Sequence, residues 1–77
     1  MKAIGVRYRL PVFGLLAEMH NNGDTILRFG ETYIHFDKDD YIVNCDKDGA
    51  DLRSLIDEPT TRRFILRYGR PCGTIWG

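Results

Sequence analysis

The chain has few of the residues that form covalent scaffolds or catalytic centres. Its 77 residues include only two cysteines, Cys45 and Cys72, and two histidines, His20 and His35. Two widely spaced cysteines favour reduced thiols over a disulfide framework, with a Cys45–Cys72 bridge as the alternative. No serine or cysteine has an evident base partner in the sequence, so we expect neither an enzyme nor a bound cofactor.

Long apolar runs, internal repeats, low-complexity segments and a secretory leader are also absent. Together with the starting Met, these absences predict a complete cytoplasmic protein with no membrane partner. The length predicts a single small domain over residues 1–77. A domain of this size buries only about 60% of its unfolded surface, so its stability margin is thin.

Four turn signals divide the first 45 residues into five segments with alternating apolar side chains. The signals are Pro11-Val12, Asn22-Gly23-Asp24, Gly30-Glu31 and Lys38-Asp39. Turns at these points place one side of every segment on a common face of an antiparallel sheet. This inward face comprises Ile4, Val6, Tyr8, Leu10, Phe13, Leu15, Ala17, Met19, Leu27, Phe29, Ile34, Phe36, Tyr41, Val43 and Cys45.

The same turns specify the residues that face each other on neighbouring strands. The predicted pairs are Tyr8 with Leu15, Met19 with Leu27, Glu18 with Arg28, Leu27 with Ile34, Phe29 with Thr32, and Ile34 with Val43. The pairing of Glu18 with Arg28 would add an attraction between opposite charges. The residues expected in the core are Val6, Leu15, Leu27, Phe29, Ile34 and Val43.

Two segments fit either a strand or a helix. Residues 11–20 could form a helix that begins near Pro11, but Gly14 would destabilise its interior by about 1 kcal/mol. We predict a strand there. Alternation over residues 63–68 favours a sixth strand, whereas the spacing of apolar residues over 61–68 also suits a helix.

The remaining segments complete an α+β fold. Asp48 is a candidate N-cap for a short helix over residues 50–57. We predict a loop over residues 69–73 and a short last strand over residues 74–76. The sequence thus predicts an antiparallel five-stranded meander sheet with one short helix and a C-terminal strand or hairpin.

Charge is segregated along the chain although the net charge is zero. Residues 1–30 hold four basic and two acidic residues, residues 31–58 three basic and nine acidic, and residues 59–77 four basic and none acidic. Segregated charge affects how a protein docks on its partners more than how it folds.

The candidate binding residues are mostly basic or aromatic. One group lies on the outer face of the predicted sheet, opposite the apolar face: Arg7, Arg9, Arg28, Tyr33 and His35. A second group comprises Arg62, Arg63, Arg67, Arg70 and the apolar anchor Trp76. Such side chains could contact phosphates and bases, or the carboxylates of a protein. Alternatively, the helix covers the outer face, and the arginines pair with the acidic residues between Asp37 and Glu58.

One stretch resembles the start of a calcium-binding loop. Asn44, Asp46, Asp48 and Gly49 place oxygen ligands and a glycine at the required spacing, but Leu55 occupies the position where a bidentate glutamate is needed. We therefore predict no metal site.

These observations favour a stand-alone domain that binds another protein, an inhibitor or adaptor that occupies its partner's surface. A phage- or mobile-element-encoded inhibitor of a host nucleic-acid-handling machine is one specific form of this hypothesis. The alternative is direct binding of nucleic acid through the outer sheet face and the arginines. Zero net charge weakens that alternative, because phosphate binding draws on a positive field.

Overall fold

The computed structural model describes all 77 residues, which form one unit of six strands and two helices. The elements are β1 (Ala3–Arg9), β2 (Leu15–His20), β3 (Thr25–Phe29), β4 (Thr32–Phe36), β5 (Ile42–Cys45), a 3-10 helix (Gly49–Leu55), α1 (Thr61–Tyr68) and β6 (Arg70–Trp76).

The six strands form a single antiparallel sheet in the order β5-β4-β3-β2-β1-β6. The first five strands are a meander, and the chain then returns to place β6 beside β1. Backbone hydrogen bonds of 3.0 and 2.9 Å between Lys2 and Gly77 extend this last pairing to the chain ends. The predicted α+β meander is confirmed, with one more strand in the sheet than expected.

Both helices pack against the inward face that the sequence predicts. The buried cluster joins sheet residues to helix residues: Leu10, Leu15, Ala17, Met19, Leu27, Ile34, Phe36, Leu52, Ile56, Phe64 and Ile65. The helices therefore leave the outer face of the sheet uncovered. Residues 15–20 form β2, which confirms the strand over the alternative helix.

The β3–β4 hairpin has the predicted register. Leu27 lies opposite Ile34 and Phe29 opposite Thr32. Gly30 adopts a φ of +61°, which a first turn residue needs in this kind of two-residue hairpin loop.

The cross-strand partners predicted for β2 are wrong by two residues, both on β1 and on β3. Tyr8 faces Ala17 rather than Leu15, and Met19 faces Thr25 rather than Leu27. The β1–β2 turn contains four residues rather than two. Leu10 N–H donates to the Leu15 carbonyl at 3.2 Å, which leaves residues 11–14 in the turn. A shift of two keeps every strand residue on its face, so the faces were predicted correctly although the pairs were not.

The longer turn also corrects the placement of Phe13. Residues 11–14 now form the turn, with Gly14 at a φ of +80°. Phe13 lies at the tip and is fully exposed instead of pointing inward.

The β4–β5 pairing is irregular, which overturns two further core predictions. Ile34 faces Cys45 rather than Val43, and the register shifts between His35 and Phe36. Tyr41 and Val43, predicted inward, are exposed, as is Ile42 between them. An extra residue in one strand breaks the alternation of side chains, so the pattern cannot place these residues.

Of the predicted core, Leu15, Leu27 and Ile34 are fully buried. Val6 is only half-buried. Phe29, the last residue of β3, is 46% exposed, so its predicted burial was wrong.

The C-terminal third differs most from the prediction. Residues 61–68 form α1 rather than the favoured strand, since Thr60 caps the helix by accepting a 3.1 Å hydrogen bond from Arg63 N–H. Helical spacing buries Thr61, Phe64 and Ile65. Of the predicted loop at 69–73, Gly69 is the C-cap of α1 and residues 70–73 belong to β6. The helix predicted over 50–57 is a 3-10 helix, and the Asp48 side chain caps nothing.

The two cysteines lie on the opposite edge strands β5 and β6, and both are free. Five strand spacings separate them by roughly 24 Å, which a disulfide cannot span. A helix that crosses a membrane needs about 20 mostly apolar residues, and no helix of this chain meets that requirement.

Candidate functional site

Five residues form one row across five strands on the uncovered outer face. Directly opposite pairs link Arg70 to Arg9, Arg9 to Leu16, Leu16 to Arg28, and Arg28 to Tyr33. We call this set the arginine row. It spans four strand spacings, or about 19 Å. The predicted outer-face residues Arg9, Arg28 and Tyr33 thus lie in one row, with Leu16 between Arg9 and Arg28 and with Arg70 of the second predicted group at its end.

A second row, one step along the strands, is centred on a buried carboxylate. Glu18 faces Arg7 on one side and Ile26 on the other, and Ile26 faces His35. Only 8% of Glu18 is exposed. Its carboxylate accepts hydrogen bonds from Arg28 Nε at 2.9 Å and from the His20 ring at 3.2 Å, and Arg7 Nε lies 3.8 Å away.

The electrostatics of Glu18 favour its charged form. Burial alone would raise the pKa of this carboxyl group, but the hydrogen bonds from Arg28 and His20 and the charges of Arg28 and Arg7 outweigh it. The pKa of Glu18 is therefore lowered. Arg7 and Arg28 are thereby engaged inside the chain, which reduces their availability to an external anion.

The remaining predicted residue of this face is also engaged. The His35 ring contacts the Asp24 carboxylate at 2.8 Å. Both side chains are about one-quarter exposed. His35 thus forms part of the internal polar network of the sheet.

Arg9 and Arg70 differ from the other arginines of the sheet because they lack an acidic partner. Both are exposed and directly opposite each other on β1 and β6. The arginines in the ion pairs of the chain are Arg7, Arg28, Arg53 and Arg67. Like charges directly opposite each other on neighbouring strands repel. This pair is therefore the part of the arginine row most open to an external anion.

Two shallow cavities meet at Arg9. The first, of about 320 Å³, is bordered by apolar residues of the β1–β2 turn: Leu10, Val12, Phe13, Gly14, Leu15 and Leu16. The second, of about 210 Å³, is bordered by Leu10, Pro11, Tyr68 and Arg70. The first cavity is lined mostly by apolar residues and the second by two arginines among its five residues, so a ligand with an apolar part next to an anionic part would suit both.

The second predicted group is spread over the molecule. Arg67 pairs with Glu58 at 3.4 Å and stacks over the Tyr68 ring at 5.3 Å. Arg62 and Arg63 are exposed on α1. Trp76 is exposed at the far end of β6 from Arg70, roughly 20 Å along the strand. Pairing with the acidic stretch therefore accounts for Arg67, and Trp76 does not join the arginine row.

Sequence reasoning missed two residues that border these cavities, Phe13 and Tyr68. Phe13 was placed in the core, although a four-residue turn ending in Gly14 would have put it at the tip. Tyr68 reaches the second cavity because residues 61–68 are helical. Nowhere do three or more acidic, histidine or cysteine side chains stand close enough to hold a metal ion.

Comparison of the chain with protein-family models, with curated proteins and with solved structures finds no match.

Proposed function

We propose that the chain is a protein-binding domain that docks through the β1–β2 turn and the adjoining arginine row. The observation that carries this proposal is the full exposure of Phe13 beside an apolar cavity. An aromatic side chain held in water costs free energy that burial in an interface would recover.

The surroundings of Phe13 support the same proposal. Leu16 is partly exposed and borders the same cavity as Phe13. In the arginine row, Arg9 and Arg28 lie on either side of Leu16. Exposed apolar residues with arginines around them are typical of protein interfaces, where aromatic side chains and Arg are enriched. In this proposal the domain acts as an inhibitor or adaptor by covering its partner's surface, with a phage-encoded inhibitor as one form.

The cytoplasm is the proposed location. Cys45 and Cys72 are free thiols on opposite edges of the sheet. Unpaired cysteines are usual in compartments that keep thiols reduced.

Direct nucleic-acid binding is the second candidate, favoured by one observation. Arg9, Arg70 and Tyr33 share an uncovered sheet face, where guanidinium groups could contact phosphates and an aromatic ring could stack on a base. Against it, residues 31–58 carry nine acidic and three basic residues on the β4–β5 side of the same sheet. That excess of negative charge would repel a long polyanion.

A photo-crosslinking amino acid at position 13 tests the protein-binding proposal in lysate of the native host. The matched control carries it at position 41. Tyr41 is an exposed aromatic residue directly before β5, an edge strand that lies away from the β1–β2 turn. We expect protein adducts at position 13 that persist in moderate salt and after nuclease treatment, and none at position 41.

The protein identified in the adduct is then purified and titrated with the variants. Phe13→Ala should weaken binding about tenfold or more, as expected of an interface anchor, whereas Tyr41→Ala should have little effect. Adducts that vanish with nuclease, or equal effects of the two variants, would overturn the proposal.

A further inference from the structure

We infer that the cleft bordered by Arg9 and Arg70 binds a side-chain carboxylate of the protein partner, so that the partner presents an acidic residue next to an apolar one. This inference rests on the proposed protein-binding function and specifies the chemistry of the partner.

The cleft has the composition of an anion site. Arg9 and Arg70 lie directly opposite each other on β1 and β6, and both border one cavity that Leu10, Pro11 and Tyr68 also line. Guanidinium groups present several N–H donors in a fixed fork, which suits the two oxygens of a carboxylate. A carboxylate seated there would remove the repulsion between the two arginines.

No group of the chain itself supplies that carboxylate. The only carboxylate that contacts an arginine on this sheet face belongs to Glu18, which binds Arg28 and Arg7. The acidic partner of α1, Glu58, contacts Arg67. Residues 59–77 contain no acidic residue at all. The positive charge of Arg9 and Arg70 is therefore unbalanced locally.

The neighbouring cavity indicates a protein rather than a free anion. Arg9 and Leu10 border both cavities, so the arginine cleft continues directly into the apolar one beside Phe13. A protein segment with adjacent acidic and apolar side chains can fill both. A nucleic acid would instead need a continuous basic track, and the row is interrupted by the apolar Leu16 and by Arg28, which is already paired with Glu18.

The test is a titration of the ¹⁵N-labelled full chain, in which the arginine Nε–H signals are followed by NMR. The probes are an acetylated and amidated tetraglutamate peptide, the matching tetraglutamine peptide, and a twelve-residue oligothymidylate. We expect saturable shifts at Arg9 and Arg70 with tetraglutamate, and none with tetraglutamine.

Matched variants locate the site. Arg70→Gln should weaken tetraglutamate binding about tenfold, the effect of losing a charge-assisted hydrogen bond. Arg62→Gln removes another exposed arginine, on α1, and should leave binding unchanged.

Three results would overturn the inference: no shifts at Arg9 and Arg70, equal effects of Arg70→Gln and Arg62→Gln, or tighter binding of the oligothymidylate at the same signals. If the position-13 adducts persist while tetraglutamate fails to bind, the inference is wrong and the proposed function stands. If tetraglutamate binds but the adducts are absent, the proposed function fails instead.

Discussion

Arg28 reaches Glu18 diagonally across the β2–β3 pair, with Nε 2.9 Å from Oε2, although Ile26 is the residue directly opposite Glu18. The diagonal contact allows one carboxylate to receive Arg28, Arg7 and His20 together. Glu18 thereby links β1, β2 and β3 through side chains on the face that no helix covers.

The lowered pKa of Glu18 makes the free energy of unfolding depend on pH in the acidic range. A carboxyl group with a lower pKa in the folded state stabilises that state above its unfolded pKa of about 4.3, and the contribution is lost as pH falls through the folded pKa. We expect Glu18→Gln to lower the melting temperature at pH 7. The difference from the parent chain should shrink progressively between about pH 5 and pH 3.

The control for this experiment is Glu31→Gln, which alters an exposed glutamate outside every ion pair of the chain. Thermal melts followed by circular dichroism over this pH range compare the three proteins. A Glu18→Gln curve parallel to that of the parent chain would contradict the predicted role of Glu18.

The corrected register predicts opposite outcomes for two residues of the predicted core. Ile34 is fully buried, so Ile34→Ala should cost about 2–5 kcal/mol of unfolding free energy. Val43 is 56% exposed on β5, so Val43→Ala should change stability by less than about 0.5 kcal/mol. Urea unfolding measures both, and a large loss for Val43→Ala would mean that β5 is paired differently.

Gly49 begins the 3-10 helix where it touches β4. An added Cβ at this position would overlap the carbonyl oxygen of Tyr33. We expect Gly49→Ala to destabilise the fold by about 1–3 kcal/mol through overpacking. In Gly73→Ala the added Cβ would meet only Arg7 Cβ, at 3.9 Å, so that variant is the control and should unfold like the parent chain.

The two thiols should differ in reactivity. Cys72 is exposed on β6, whereas Cys45 is half-buried and packs against the core. A thiol reagent should modify Cys72 rapidly in the native protein and Cys45 only slowly, with equal rates after unfolding. Mass spectrometry of the modified peptides reads out both rates. Fast modification of Cys45 would indicate that β5 opens readily.

The faces of the sheet were more predictable than its pairings. Alternation placed Leu15, Leu27 and Ile34 inward, because a strand residue keeps its face when the register slips by two. The slip itself depends on turn length, and Pro11 and Gly14 permit several lengths. The sequence therefore predicted the outer-face position of Arg9 but not its partner Leu16.

The parts that sequence reasoning missed depend on tertiary contacts. Residues 61–68 alternate as a strand would, yet the Thr60 cap and the burial of Phe64 and Ile65 against the sheet favour a helix. The helix in turn allows β6 to reach β1. The Arg9–Arg70 cleft follows from that pairing, and no local pattern around either arginine could have indicated it.

The pairing of β1 with β6 joins the two ends of the chain, which favours a late place for this pairing in folding. The meander closes through short turns, whereas the pairing of β6 with β1 closes a loop that contains residues 10–69. Closing so long a loop costs more chain entropy, and pairings between distant segments form slowly. We expect β6 to dock last. Arg70 would then join Arg9 only at the final step, so a partner that requires both would bind the fully folded chain and not one in which β6 is undocked.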